Sequence, residues 1–368
     1  MSDEEPPAHA QSTVGKTIES ERWTGTIFTF LSVFFYGISN VVVRYLTEYN
    51  VDHSWMLFYK EFIGLAILLP WLFFRWGQGR FRHTSTQLML YIFLAAIVCQ
   101  LIGAQLHVLG FAIIGLIITV PLVQSSTLLG VAFIGHFIFR HRLSRRRKTA
   151  IMLLIISVTI LSIGKEMIAD SQGSNADSAG LFLLVAAGAV VTGIAYAIYI
   201  TILRYVVRQH WDDENSTRQS FRFRHWIGHD VQHQIHHKDR FYSPFPVTLL
   251  MAIVLGVGVM IFGASVLYKY GMPGFFTVPV TSPGADWEPS IAWYCMLISG
   301  ISNVTGFLFQ VQGLRMTSAL QASLIAVSQM LLLSLVGFLL FHEAVNVIVM
   351  IGLGLTVYGV LMSAKPER

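Results

Sequence analysis

Long apolar blocks separated by short polar segments follow one another along most of the chain. A helix that crosses a bilayer needs about 20 consecutive, mostly apolar residues, and ten blocks have roughly that length. The pattern therefore predicts an all-α integral membrane protein with ten transmembrane helices. The predicted spans cover residues 23–46, 55–74, 88–110, 114–139, 149–164, 180–203, 246–268, 291–313, 317–341 and 345–363.

The composition supports this class and excludes others. Charged residues make up 12% of the chain and hydrophobic residues 54%, whereas a soluble domain averages about 25% charged residues. The two cysteines, Cys99 and Cys295, lie inside apolar blocks and suggest no disulfide framework. Residues 1–22 are polar and lack the apolar core of a signal peptide, so we expect a short, disordered cytoplasmic tail there.

The basic residues are distributed unevenly between the two sides of the membrane. With the N-terminus inside, most of the 25 Lys and Arg residues fall in inner segments, and the outer loops hold only Lys165 and Lys269. This asymmetry follows the positive-inside rule and predicts a multi-pass protein of the inner cell membrane with both termini cytoplasmic. Topology thereby accounts for the net charge of +5, and no nucleic acid partner is expected.

The third and eighth predicted spans share a pattern at a shift of 203 residues. Gln100-x-x-Gly103-x-x-x-His107-x-x-Gly110 matches Asn303-x-x-Gly306-x-x-x-Gln310-x-x-Gly313. The match continues through the next span at a shift of 202. Near the front of each half, Gly37-Ile38-Ser39 matches Gly193-Ile194-Ala195. The chain is therefore predicted to contain an internal repeat.

Each repeat contains five spans, and because five is odd, the second repeat enters the membrane from the opposite face. We expect two inverted five-helix repeats, residues 23–165 and 180–363, the second interrupted by a basic, His-rich cytoplasmic loop at 205–245. Inverted repeats are typical of alternating-access transporters, in which the substrate binds near the midplane between the repeats.

The last three spans carry a resemblance to a known family. The stretch Gly313-Leu-Arg-Met-Thr-Ser-Ala-Leu-Gln-Ala-Ser-Leu-Ile325, then Phe341-His-Glu343, Gly352 and Gly359-Val360, resembles the EamA-type permeases of the drug/metabolite transporter superfamily. Glu343 matches the family's glutamate after the ninth helix, while Gln329 stands where the family often has Pro, and His141 departs from the pattern in the first half. The resemblance implies a five-plus-five fold, a non-enzymatic secondary transporter, and export or exchange of a small organic solute.

The second span holds the adjacent charged residues Lys60 and Glu61. Lys60 shares a helical stripe with Gly64, which favours an inward position because glycine permits close helix packing; a basic residue at this place also matches the family. Lys60 is then a candidate contact for an anionic or zwitterionic solute. Alternatively, it snorkels toward the outer interface with Glu61 as its local partner. For Arg44, at the outer end of the first span, we expect snorkelling.

Further candidate substrate-binding residues come from the repeated pattern. Gln100 and Asn303 fall near the middle of their spans, and His107 and Gln310 fall toward opposite membrane faces. These polar groups either line a substrate cavity or form interhelical hydrogen bonds. His107 could titrate near neutral pH and couple transport to protons, or it could be a packed, neutral histidine.

The loop at 205–245 contains a second constellation. Histidines at spacings suited to chelating a divalent metal follow one another, at His225, His229, His233, His236 and His237. The alternative is a basic, aromatic amphipathic helix on the inner leaflet. A membrane di-iron hydroxylase or desaturase is the more distant alternative, since such enzymes need histidine clusters well separated along the chain.

No Walker-type motif is present, so ATP is not expected to drive transport directly. No cofactor is predicted for the transporter, and the pattern does not indicate an oligomeric state. The sequence thus predicts a lipid-embedded secondary transporter of a small organic solute. The metal-regulated transporter stays open as the alternative.

Overall fold

The computed structural model describes residues 8–78, 86–137, 177–208, 247–280, 288–317, 319–343 and 345–364, together with part of 149–164. The described part of the chain is helical and contains no strand; one isolated antiparallel bridge joins Val51 to Val280.

The helices follow the apolar blocks. Their bounds are α1 Ala8–Glu48, α2 His53–Gly77, α3 Thr86–Ile97, α4 Gln105–Ile114, α5 Leu116–Phe137, α6 Asp177–Arg208, α7 Val247–Tyr270, α8 Pro289–Met316, α9 Ala319–Leu340 and α10 Val347–Ala364. A π-helical segment, Val98–Ala104, joins α3 to α4 without a break. The described residues between 149 and 164 are helical as well.

Seven helices in the described residues are long and apolar enough to cross a membrane. They are Trp23–Glu48, His53–Gly77, Thr86–Ile114, Leu116–His136, Leu184–Val207, Val247–Tyr270 and Pro289–Met316. These coincide with seven of the ten predicted spans, so the prediction of an all-α membrane protein is confirmed. The predicted spans 149–164 and 317–341 contain residues outside the described set. In the regions of the last two predicted spans the described apolar helices, Ser328–Leu340 and Val347–Gly359, are shorter, so the count of ten stays a prediction.

The first helix departs from the predicted disordered tail because it begins at Ala8 and runs unbroken to Glu48. The Ala, Gln, Lys and Glu residues that follow have high helix propensity. A polar segment therefore continues the helix beyond its apolar part.

Helix packing brings distant parts of the chain together. Helix α1 packs along α8 and α9, while α6 packs along the π-helical segment, α4 and α5. In addition, α2 packs on α7, and α5 on α9. The polar residues of the predicted spans are thus brought to the interfaces between the two halves of the sequence.

Polar contacts join the segment before α2 to the end of α7 and the segment that follows it. The Asp52 side chain accepts the Trp55 N–H at the start of α2, and the Lys269 ammonium lies 2.9 Å from the same carboxylate. The Asp52 N–H also donates to the Pro279 carbonyl at 3.0 Å. Burial acts to raise the pKa of the Asp52 carboxyl, but hydrogen bonds from Lys269 and from the Trp55 backbone outweigh it, so the pKa lies below its usual value.

Candidate functional site

The carboxylate of Glu61 lies at the centre of the bundle. Leu57, Glu61, Gly64 and Leu68 form the buried face of α2, and Glu61 is 3% exposed. The sequence favoured Lys60 over Glu61 for the inward position. The structure instead buries Glu61, and the Lys60 side chain beside it is 15% exposed, because neighbours on a helix point only about 100° apart and a wide buried face accommodates both.

Three of the predicted substrate-binding residues converge on Glu61. Lys60 Nζ lies 3.4 Å from Glu61 Oε1, and Asn303 Nδ2 donates to Glu61 Oε2 at 3.5 Å. The Gln100 side chain also hydrogen-bonds the carboxylate. Residues from α2, α8 and the π-helical segment therefore form one polar cluster, Lys60, Glu61, Gln100 and Asn303, which we call the central cluster.

Glycine on α7 makes room for the central cluster. A Cβ atom on Gly258 would lie 2.8 Å from Glu61 Cγ and 3.1 Å from Gln100 Nε2. Any larger residue at this position would push the carboxylate and the amide aside. The close approach of α7 is thus part of the construction of the cluster.

Gln100 belongs to the π-helical segment Val98–Ala104. A π-helical turn is wider than an α-helical one and occurs frequently at functional sites. The Gln100 side chain is buried and reaches Glu61 from this turn. Nothing in the spacing of polar residues along the chain indicated the π-helix.

His107 is buried at a second polar contact. Its Nδ1 lies 3.1 Å from the Tyr196 hydroxyl, and its ring centroid lies 4.5 Å from that of Phe111. Its Nε2 has no hydrogen-bond partner among the described residues. Gly103 allows Tyr196 to approach, since a Cβ there would lie 2.6 Å from Tyr196 Cε1. The structure therefore does not bring His107 into hydrogen-bonding contact with the central cluster.

Gln310 makes a similar contact in the other half of the chain. The Tyr36 hydroxyl donates to Gln310 Oε1 at 3.0 Å, and Gly306 lies directly against the Tyr36 ring. Neither Tyr36 nor Tyr196 was selected from the sequence. Each tyrosine contacts one glycine and one polar residue of the repeated pattern. This relationship identifies them, and it becomes visible only when the helices are packed.

Arg44 forms an ion pair with the segment that follows α9 and does not snorkel as predicted. Its Nε lies 3.1 Å from Glu343 Oε1, and its guanidinium stacks over the Phe341 ring. The Glu343 carboxylate also accepts the N–H groups of Leu116 and Ile117 at 2.8 and 2.9 Å. The free N–H groups at the start of α5 attract a carboxylate, which explains why Arg44 turns inward to complete the site.

The histidines predicted to bind metal, at positions 225, 229, 233, 236 and 237, lie outside the described residues. Within the described residues, no group of three or more His, Cys, Asp or Glu side chains could hold a metal ion. The interpretation of that loop therefore stays a prediction.

Comparison with known proteins gives one family. A model described as "EamA-like transporter family" matches residues 23–163 and 239–364. A solved structure titled "Crystal structure of protein" superposes with a TM-score of 0.54 at 12% identity and covers 93% of this chain and 98% of that chain; at this identity the likeness concerns the fold alone. No curated protein sequence matches.

Proposed function

The chain belongs to the EamA-like transporter family, and from this premise we propose that it is a secondary transporter that exports or exchanges a small organic solute by alternating access. The family consists of membrane transporters of the drug/metabolite transporter superfamily and not of enzymes. The proposal assigns solute binding to the central cluster, with Lys60, Gln100 and Asn303 as contacts.

The observation that carries the proposal is the central cluster itself. Charged and amide side chains inside a membrane are costly, and where they occur they usually mark a transport pathway. Here they come from three different helices and meet where the surrounding side chains are mainly apolar. The Lys60 ammonium suits an anionic or zwitterionic group of the solute, and the Gln100 and Asn303 amides can both donate and accept hydrogen bonds.

We further propose the two inverted five-helix repeats, and paired contacts support them. Tyr36 lies against Gly306 and bonds Gln310, while Tyr196 lies against Gly103 and bonds His107. The packing of α1 on α8 and α9 is likewise matched by that of α6 on α4 and α5. His107 and Gln310 then occupy equivalent positions beside the cluster, one in each half, where they could contact the solute in different states.

The proposed location is the inner cell membrane with both termini in the cytoplasm. The enrichment of Lys and Arg in the segments assigned to the inner face supports it. Cysteine-labelling of single-cysteine variants at residues 2 and 367, with a membrane-impermeant reagent on intact cells and on lysed cells, would test it. Labelling of intact cells at either position would contradict the orientation.

Metabolite profiling tests the transport function. A deletion strain is compared with strains that carry the wild-type gene, Lys60→Ala, Asn303→Ala or the control Thr305→Ala. Thr305 bonds the Ile301 carbonyl of its own helix, so this variant should behave as wild type. We expect at least one solute to accumulate in deletion cells, and the Lys60 and Asn303 variants to fail to restore its efflux at normal protein level. An unchanged profile in the deletion strain would count against the function, and full efflux by both variants would count against the site.

Deleting residues 208–240 separates the main function from the metal-regulated alternative. If the loop is accessory, efflux of the same solute persists in the deletion variant, with the same response to added Zn²⁺ as in the wild type. A response to Zn²⁺ that is present in the wild type and lost in the loop deletion would instead support regulation through the histidines.

A further inference from the structure

Two buried carboxylates in the helix bundle are held in different ways. Glu343 accepts hydrogen bonds from Arg44 Nε and from two backbone N–H groups at 3.1, 2.8 and 2.9 Å. All three partners donate hydrogen bonds, and none of them can accept one from a protonated carboxyl group. The contacts of Glu61 to Lys60 and Asn303, at 3.4 and 3.5 Å, are long for charge-assisted hydrogen bonds, which are typically about 2.7–2.9 Å.

The partners of Glu61 also differ in kind. Gln100 and Asn303 carry amides, and an amide presents either an N–H donor or a carbonyl acceptor when its side chain turns over. With an ionised carboxylate, both amides donate through nitrogen. With a protonated carboxyl, either amide can turn and accept the O–H through its oxygen. The same side chains thus satisfy Glu61 in both protonation states.

Each helix packed around Glu61 places a residue next to its carboxylate. Lys60 on α2 supplies the positive charge, whereas α8 and α7 contribute the uncharged residues Asn303 and Gly258. The remaining titratable neighbours are Tyr36 on α1, Cys99 in the π-helical segment, and Tyr196 and Tyr199 on α6. His107 on α4 interacts electrostatically with Lys60.

We propose that the Glu61 carboxylate is a reversible proton-binding site in the centre of the bundle, and that Lys60 opposes its protonation. This role rests on the proposed transport function, in which the proton is bound and released together with the anionic solute. When Lys60 turns toward a bound anionic solute, Glu61 loses its cationic partner in an apolar setting and takes up a proton. When the solute leaves, Lys60 returns to the carboxylate and the proton is released.

Carbodiimide labelling tests this without any knowledge of the solute. The full-length protein in nanodiscs is treated with dicyclohexylcarbodiimide, which reacts with protonated carboxyl groups in apolar surroundings, and adducts at Glu61 and Glu343 are quantified by mass spectrometry between acid and alkaline pH. As the pH falls, we expect the yield of the Glu61 adduct to rise at least about tenfold over two pH units, as for a single titrating group; the Glu343 adduct serves as the internal reference. Labelling of Glu61 that is independent of pH would overturn the proposal.

Infrared difference spectroscopy provides a second measurement that needs no reagent access. On acidification of the wild type, the protonated-carboxyl region should contain a component typical of an apolar site, and this component should be missing in Glu61→Gln but persist in Glu343→Gln. A wild-type protein without that component throughout the folded pH range would overturn the proposal.

Variants of Lys60 test the second half of the proposal. Lys60→Met should shift the midpoint of Glu61 protonation to higher pH, because the opposing positive charge is gone, whereas Lys60→Arg should keep it near the wild-type value. An unshifted midpoint in Lys60→Met would overturn the role given to Lys60. A failed efflux assay with a normal titration of Glu61 would instead count against the transport function alone.

Discussion

Arg44 and Glu343 lie 299 positions apart in the chain, yet their side chains meet at 3.1 Å. The same Glu343 carboxylate accepts the first two N–H groups of α5. One carboxylate thus ties together α1, the start of α5 and the segment before α10. We infer a structural role for Glu343, because its carboxylate is paired with a cation and with two backbone N–H donors.

Replacing Glu343 should weaken the fold. In Glu343→Ala, the guanidinium of Arg44 loses its buried partner and two N–H groups lose their acceptor, which should cost about 3 kcal/mol of unfolding free energy. Glu48→Gln is the matched control, because Glu48 pairs with the other side of the same guanidinium at 3.4 Å and is more exposed; we expect at most about 0.5 kcal/mol there. Unfolding in detergent measures both, and equal losses would contradict the distinction.

The Asp52–Lys269 pair should make a small, pH-dependent contribution to stability. The pKa of Asp52 is lowered in the folded protein, so its stabilisation is present above the unfolded-state value, about 4, and is lost as the pH falls through the lower folded value. Asp52→Asn keeps the acceptor for the Trp55 N–H and removes the charge. Because Lys269 is 42% exposed, we expect a loss of at most about 0.5 kcal/mol at pH 7.

The pH profile of the melting temperature checks this assignment. The difference between wild type and Asp52→Asn should narrow as the pH falls below about 4. A difference that stays constant, or grows, on acidification would exclude the charge as its source.

Gly103 should not tolerate a methyl group. A Cβ at this position would lie 2.6 Å from the Tyr196 ring, so Gly103→Ala should displace the ring, disturb the contact with His107 and cost about 1–3 kcal/mol. Gly256→Ala on α7 is the control, because a Cβ there meets nothing within 4 Å and should be neutral or slightly stabilising. Equal melting temperatures for the two variants would contradict the close packing of Tyr196 against Gly103.

The hydroxyl group of Tyr196 should contribute measurably to the stability of the fold. In Tyr196→Phe, His107 loses the partner of Nδ1 in addition to the orphaned Nε2, and a buried polar group without a partner costs about 1–3 kcal/mol. Tyr268→Phe serves as the control, since Tyr268 is 92% exposed. A loss of stability no larger than that of the control would indicate that His107 finds another partner.

Hydropathy was sufficient to predict the fold class, because apolar length is a direct requirement of the bilayer. Seven predicted spans correspond to long apolar helices. The helical start of α1 at Ala8 was missed, because the requirement for apolar length says nothing about a helix that continues in polar residues. The sequence therefore indicated where chains can cross a membrane better than where helices begin.

The candidate site was only partly predictable. The repeated pattern selected Gln100 and Asn303, which do meet around Glu61. It did not select Glu61, because two adjacent charges on one helix cannot be assigned to a face without knowing how wide the buried face is. The Arg44–Glu343 pair was missed for a different reason, since no local pattern links residues so far apart.

For the proposed repeats, the contacts favour a different register from the sequence match at the front of each half. The sequence match paired Gly37 with Gly193, whereas the contacts favour pairing Tyr36 with Tyr196, four residues further along, or about one helical turn. Small residues recur often in membrane helices, so a short match between them slides easily by one turn. Contacts to the repeated glycines discriminate between the two registers.

The π-helical segment Val98–Ala104 directly precedes α4. The rotation of α4 about its own axis therefore depends on how tightly this segment is wound. If that wide turn tightened into α-helix, α4 would rotate like a screw about its own axis, and the His107 ring would swing relative to Gln100 although neither helix had bent or broken. A single stretch of backbone thereby links the orientation of the histidine to that of the amide in the central cluster. Deleting one residue from the segment would fix the tighter winding permanently.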